Sequence, residues 1–572
     1  MSSQSEIPEP PFTTRTKFWL ITSFLLVAFV VLFDQLGDFR TLGSHEVYAA
    51  VPAREMSLSG NWVVPRYGGL PRLRKPPLVY WVLATTAGIF GEFNEWVVRV
   101  PAALSALALS VLMGFWASRW YGKSAGWFAV FAQLTAVWVL IFSRKAEIDM
   151  MLCLFTTTAM FLFANQPNEE SARNRFLRWA GIWGLLSLAW LGKFHYGPTM
   201  VIAPCGLYLL IQKRFRSILN FFNPLGLILF AAAVFLWPYF LLEQIPEAFT
   251  VWKTETVGRA VGEMGHKPFW FYVPHVLWLT LPWTPLALMT VPDSWRRAWK
   301  NAEPRERFLW VWFLTQFAIV TLSANKHKHY LNTAFPMATL LASQTAARMI
   351  AHVRSGNWTF SRRSAWTVGG IVLIAGIGIG IAGLRKWPEL QSPVVGISIV
   401  VIVGGLVTNG LVLNRKPVMA TVTVGMTFLV CYAGVNRWIM PYRDHRQAVA
   451  FFAQETRKSF NPDEWISVYK MGETSVVYYL ENPVQRMESQ TTLTEKLQTQ
   501  GRLHVVTFEP LAKEVMAVGN GKIVKRMEDR PGIPRPKHAP LVLIELTTSE
   551  RNTIQPTTRT ASQNSAELST VR

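Results

Sequence analysis

Long apolar runs alternate with short polar breaks along most of this chain. Stretches near the ~20 residues that cross a bilayer lie at 18–34, 98–118, 124–142, 148–165, 178–193, 198–212, 224–244, 270–291, 308–324, 332–349, 366–385, 393–413 and 418–436. They predict a mainly α, polytopic membrane helical bundle of about thirteen spans, because in lipid a backbone must satisfy its own polar groups. One more run, PPLVYWVLATTAGIF at 76–90, is short and opens on two prolines. It reads as an interfacial helix within a first outer loop, 35–97.

Loop charges set the orientation. With a cytoplasmic N-terminus, 1–17, every second loop is basic: Arg119/Lys123, Arg173/Arg175/Arg178, Lys213/Arg214/Arg216, Arg296/Arg297/Lys300/Arg305/Arg307, Arg348/Arg354/Arg362/Arg363 and Arg415/Lys416 fall inside. Counting 76–90 as a span would put these clusters outside. The outer loops nevertheless hold Arg54, Arg72, Arg74, Lys75, Arg144, Lys145, Lys193, Arg259, Lys326 and Lys328. These cations run against the topogenic trend, so each asks for a reason, and a shared anionic ligand is one.

Beyond the membrane domain, 18–436, the period changes. EWISVYKM, SVVYYL, LHVVTF and PLVLIEL read as strands, and HRQAVAFFAQETRK and TTLTEKLQTQ as helices, the latter capped by its threonines. An odd span count places this small C-terminal α/β domain, 437–548, outside. The Ser-, Thr-, Asn- and Gln-rich tail, 549–572, reads as disordered.

Composition agrees with a membrane protein: 51% of residues are hydrophobic and 16% charged, against roughly 25% charged in soluble domains. The net charge of +22 would suggest nucleic acid in a soluble protein. Here cytoplasmic loops and anionic headgroups absorb it, so membrane lipids and not nucleic acid are the expected partners. Cys153, Cys205 and Cys431 all sit in apolar runs and form neither a disulfide framework nor a zinc spacing. The basic lead-in Thr13–Lys17 precedes a run without a small-residue cleavage site, so it reads as an anchor helix.

Five outer segments carry candidate chemistry. GSHEVYAAVPAREM (43–56) holds His45, Glu46, Arg54 and Glu55; the alternative is an interfacial helix with solvated charges. FSRKAEIDMMLCLF puts Asp149 at the mouth of an apolar run, where it would also serve as a helix cap. WLGKFHYGP ends a span at Lys193, a snorkelling position on the less usual side. VWKTETVGRAVGEMGHKPFWFY contains Arg259, and SANKHKHYLNTAFP crowds Lys326, His327, Lys328, His329 and Tyr330 into a hairpin. A divalent metal on His327 and His329 is conceivable but not indicated, since no acidic partner lies nearby in sequence; no cofactor is called for. Carboxylates and cations gathered on one face suit transfer from a phosphate-bearing donor: cations neutralise the leaving phosphate and a carboxylate takes a proton from the nucleophile. A channel or transporter would more often bury such groups at mid-bilayer.

The stretches HEVYAAVPAREMSLSGNWVVPRYGGLPRLRKPPLVYW, NEWVVRVPAALSAL, SRKAEIDMMLCLF, LGKFHYGP, HKPFWFYVPHVLWLTLPW and KHKHYLNTAFPMATLLA, taken in that order, resemble the C-type polyprenyl-phosphate-sugar-dependent glycosyltransferases. The likeness is to the aminoarabinose transferase of lipid A modification and the protein O-mannosyltransferase family. It implies inverting transfer of a sugar from a polyprenyl (undecaprenyl) phosphate donor to a lipid, glycan or protein acceptor. It also implies a bacterial inner-membrane setting, with active site and C-terminal domain in the periplasm. The family's first loop begins with Asp-Glu, where this chain has His45-Glu46. The resemblance passes the carboxylate role to Glu46, shared with His45, and makes Asp149 the second acidic residue. Lys75, Lys193, Arg259, Tyr330 and Lys326 would contact the donor phosphate or line its pocket, and Arg54 would be structural or lipid-contacting. No nucleotide sugar is involved, and no Gly-rich nucleotide fingerprint occurs. The rival readings are a transporter or flippase of a lipid-linked anion and a catalytically silent relative.

Overall fold

The computed structural model describes residues 13–167, 170–254, 267–324, 326–356, 358–471, 475–529 and 539–548. Two compact units contain them: residues 13–447 with 475–478, and the remainder of the described C-terminal region. The expected cytoplasmic segment up to residue 12, Arg259 and the tail 549–572 lie outside the described residues.

The larger unit is a multi-pass membrane assembly of apolar helices, and a helix lies over each of the apolar runs. Five described helices are long and apolar enough to cross a membrane: Thr14–Phe33, Glu95–Tyr121, Pro224–Gln244, Pro388–Leu413 and Val418–Tyr442. Local chemistry sets the boundaries. Helix α1 (Thr14–Ala28) starts where the Thr13 side chain accepts from Thr16 N–H, and runs on into a wider turn at Phe29–Phe33. Helix α2 (Ser44–Ser59) ends at Gly60, whose φ of 69° is a left-handed stop that glycine adopts without strain. The apolar run after the double proline forms α3 (Leu78–Phe90). The long α4 (Glu95–Tyr121) is capped by Asn94 and packs on α5 (Lys123–Thr135), followed by the short α6 (Val137–Phe142). Next come α7 (Asp149–Ala164), α8 (Ala172–Lys193) and α9 (Tyr196–Ile211).

Helices α4 and α5 touch through glycine. A Cβ on Gly126 would stand 2.8 Å from the Gly114 carbonyl oxygen and 2.7 Å from Ser118 Cβ. Small residues replace hydrophobic bulk here because lipid gives helices no hydrophobic reason to associate, so close van der Waals approach must do it. The core around this pair is aromatic: Trp116 stacks on Trp312 with ring centroids 5.5 Å apart and planes 9° from parallel, and Phe308 leans on both.

The smaller unit holds a five-stranded sheet: β1 (Ile466–Tyr469), β2 (Val484–Met487), β3 (Arg502–Phe508), β4 (Asn520–Arg526) and β5 (Leu541–Thr547). The spatial order is β2-β1-β3-β5-β4. The β1–β2 and β1–β3 pairs are parallel, and β3–β5 and β4–β5 antiparallel. Helix Gln447–Arg457 precedes β1 in sequence and helix Gln490–Gln500 lies between β2 and β3, the second capped by Ser489 rather than by a threonine. The stretch SVVYYL corrects its strand reading: Val476–Leu480 is a helical turn. The carbonyls of Val477 and Tyr478 are taken by Arg54, which leaves no ladder for a strand there.

Candidate active site

The segment 43–56 is pinned by a buried carboxylate. Glu46, 1% exposed, sits in the first turn of α2. Its Oε1 accepts from Arg99 Nε at 2.9 Å and from Ala146 N–H at 3.3 Å. Its Oε2 accepts from Arg40 Nη2 and from Gly43 N–H, both at 2.7 Å. Burial pushes its pKa up, but Arg40 and Arg99, with the hydrogen bonds from Arg99 and Gly43, outweigh burial and hold it down at about 2. Fully buried Arg99, on α4, also donates to the carbonyls of Leu36 and Arg40. One ion pair therefore fastens the 36–41 turn, the start of α2 and the 143–147 loop to α4, and it uses both carboxylate oxygens twice.

That loop is aimed by its own arginine. Arg144 donates to Val31 O at 3.1 Å and Asp34 O at 2.6 Å, beneath the Phe39 ring. Lys145 and Glu147 line a cleft of about 630 Å³ together with His45 and with apolar side chains such as Ile397, Phe428 and Tyr432. Lys145 Nζ stands 3.6 Å from the Glu147 carboxylate. Burial is the main cause lifting the Glu147 pKa to about 7; Lys145 and Arg40 oppose the shift, while Asp149 and Glu46 add to it.

Asp149 opens α7, 7% exposed, and its Oδ1 accepts from Lys193 Nζ at 2.9 Å. Lys193 ends α8 and lies over the rings of Tyr196 and Tyr330, 4.9 and 4.8 Å from their centroids. The Tyr196 hydroxyl donates to the Tyr330 carbonyl. His329 meets Tyr330 edge-on and stacks on His327. Burial lowers the His329 pKa well below its usual range; Asp149 opposes, and Lys193 and Lys75 add to the lowering. His45 is lowered by burial first, then by Lys75 and Lys145, against Asp149. Both imidazoles are thus neutral at pH 7, and Lys75 acts on both of them.

The structure brings together His45, Lys75, Asp149, Lys193 and Tyr330. Glu46 adjoins them with its oxygens occupied. Lys326 is 3% exposed, and its amine donates to Ser323 O at 2.6 Å and Lys267 O at 3.2 Å, so it stitches backbone. Arg54 donates to Val477 O and Tyr478 O, each at 2.8 Å, over the Tyr478 ring. Sequence reasoning left Lys145, Glu147, Tyr196 and His329 out of the site. All four lie within the five candidate segments, and the signal was their adjacency to Asp149, Lys193 and Tyr330.

Comparison with known proteins points the same way. The family profile described as dolichyl-phosphate-mannose-protein mannosyltransferase matches residues 74–239. The undecaprenyl phosphate-alpha-4-amino-4-deoxy-L-arabinose arabinosyl transferase of Pseudomonas aeruginosa (strain LESB58) is 28% identical over 411 residues, 70% of this chain and 72% of that one. The protein of that name from Erwinia tasmaniensis is 30% identical over 312 residues, 52% of this chain and 54% of that one. Among solved structures, ArnT from Cupriavidus metallidurans in the apo state superposes with a TM-score of 0.73 at 20% identity, covering 93% of this chain and 98% of that one. The same protein bound to undecaprenyl phosphate also gives 0.73, at 19% identity. Motif order, family profile and relatives together identify the chain as a membrane glycosyltransferase related to the polyprenyl-phosphate-sugar-dependent enzymes.

Proposed function

We propose that the chain transfers a sugar from a polyprenyl (undecaprenyl) phosphate to an acceptor at the outer face of a bacterial inner membrane. The observation that carries this is the Asp149–Lys193 ion pair at 2.9 Å, within the electrostatic reach of Lys75 and the neutral His45 and His329. Lys75, Lys145 and Lys193 neutralise the phosphate as its bond to the anomeric carbon breaks. A low-dielectric wall makes each such contact stronger than it is in water. The acceptor enters from the opposite face of the sugar, so the anomeric configuration inverts. Asp149 holds Lys193 in place, and Glu46 positions α2 and the 143–147 loop. The cleft lined by His45, Lys145 and Glu147 continues into apolar side chains, a fit to amphiphilic substrates. The topology that goes with this reading has thirteen spans, a cytoplasmic N-terminus and the sheet-bearing unit, within 437–548, in the periplasm. It is supported by the basic residues in alternate loops.

The test uses the purified full chain in liposomes with labelled undecaprenyl-phosphate-linked aminoarabinose or mannose, and lipid and protein extracts as acceptors. Labelled sugar is expected in the acceptor fraction. Lys75→Ala and Lys193→Ala should each weaken donor use about 10- to 100-fold, the worth of a charge-assisted hydrogen bond of about 1.5–3 kcal/mol. Donor that crosses the bilayer intact, with no sugar transferred, would establish the flippase reading instead.

A further inference from the structure

Three carboxylates border the site, and two are committed. Glu46 receives four donors on its two oxygens. Asp149 is held by Lys193 at 2.9 Å. Among the described residues the Glu147 carboxylate has one ionic neighbour, Lys145 at 3.6 Å, which is longer than a charge-assisted hydrogen bond, and its side chain keeps 13% exposure. It also lines the cleft that His45 lines. We infer that Glu147 is the proton acceptor of the transfer, acting on a hydroxyl nucleophile bound in that cleft.

This deepens the glycosyltransferase reading and rests on it. The acceptor hydroxyl oxygen forms the new bond to the anomeric carbon, and the old bond from that carbon to the phosphate oxygen breaks. The electron pair leaves with the polyprenyl phosphate, and the hydroxyl proton passes to a Glu147 carboxylate oxygen. A base is most effective when its pKa lies near the working pH, and burial with the neighbouring Asp149 and Glu46 places Glu147 at about 7 against Lys145 and Arg40. Arg443 and Arg446 face the same cleft from the far side of the sequence. Neutral His45 has a ring lone pair of its own, but its pKa is lowered by burial and by Lys75 and Lys145, whereas that of Glu147 is raised, so the carboxylate is the stronger base. The choice of base also names the acceptor class. A phosphate nucleophile is already an oxyanion and needs no base, whereas an alcohol needs one, so the acceptor group is a sugar, lipid or side-chain hydroxyl.

The same liposome assay decides it, with infrared titration of the purified chain as an independent arm. Glu147→Gln should lower kcat about 100-fold, the usual worth of a positioned base, with the KM for the labelled donor within about twofold and thermal stability retained. Glu147→Asp should restore part of the rate and move the acid limb of the pH profile downward. Wild-type rates should rise with pH through about 7, and a protonated-carboxyl band titrating there should vanish in Glu147→Gln. Full activity and an unaltered pH profile in Glu147→Gln, or the absence of such a band, would overturn the proposal. No transfer by wild type from either donor would count against the glycosyltransferase reading itself, and the band would still report on Glu147.

Discussion

At the residue scale, equal chemistry at neighbouring positions takes opposite states. Glu46 and Glu147 belong to segments that meet at the Glu46–Ala146 hydrogen bond, yet one is held at about 2 and the other lifted to about 7. The number of donors decides: four for Glu46 against one distant lysine for Glu147. The folded pKa of Glu46 lies below its ordinary 4.5, so its stabilisation is fully present above pH 4.5 and fades as pH falls toward 2. A shift of that size corresponds to on the order of 3 kcal/mol. Unfolding in detergent across that window should therefore show wild type losing stability on acidification while Glu46→Gln stays flatter. At neutral pH Glu46→Gln should be less stable by about 3–5 kcal/mol, because buried Arg99 loses its counter-charge. An unchanged melting temperature for that variant would remove Glu46 from its anchoring role.

At the element scale, small residues and caps place the site. The α4–α5 contact tolerates nothing larger than glycine at 126, since a Cβ would enter the space of the Gly114 carbonyl oxygen and Ser118. Gly126→Val should destabilise the chain by about 1–3 kcal/mol through overpacking, seen as a lower melting temperature. Its effect on transfer should follow folded protein rather than donor KM; a KM change at full stability would mean that α5 contacts substrate. Arg54 acts between elements too, binding the 477–478 carbonyls to α2. The strand reading of SVVYYL failed at this scale, because its β-branched and aromatic residues are buried on a helical turn whose carbonyls are already claimed, and tertiary context overrides β propensity.

For the whole molecule, orientation is the open physical quantity, and loop charge gives a definite expectation. In a chain with Cys431 replaced, the other cysteines are buried. A membrane-impermeant maleimide should then label Ser59→Cys from outside intact spheroplasts and label Asn301→Cys only after lysis. Labelling of Asn301→Cys in intact spheroplasts would invert the topology and move the cleft to the cytoplasm.

Much of this was legible in the chain itself. The apolar runs identify the helices, and the double proline marks the start of the run at Leu78, because these signals act over a few residues. The five candidate segments were legible as a set, since cations that run against the topogenic trend ask for a reason, and for Lys326, Arg54 and Arg144 that reason is backbone carbonyls. Which side chains stay available was not legible. Lys326 and Lys193 read alike, yet one amine is spent on two carbonyls and the other pairs with Asp149 over two aromatic rings. Glu46 and Glu147 read in the reverse order of their availability. Composition and the apolar runs determined a membrane bundle with charged segments between its helices. The tertiary structure alone decided which charges are neutralised and which remain to act, because pairing depends on contacts between segments as far as 424 residues apart, and no local pattern encodes those.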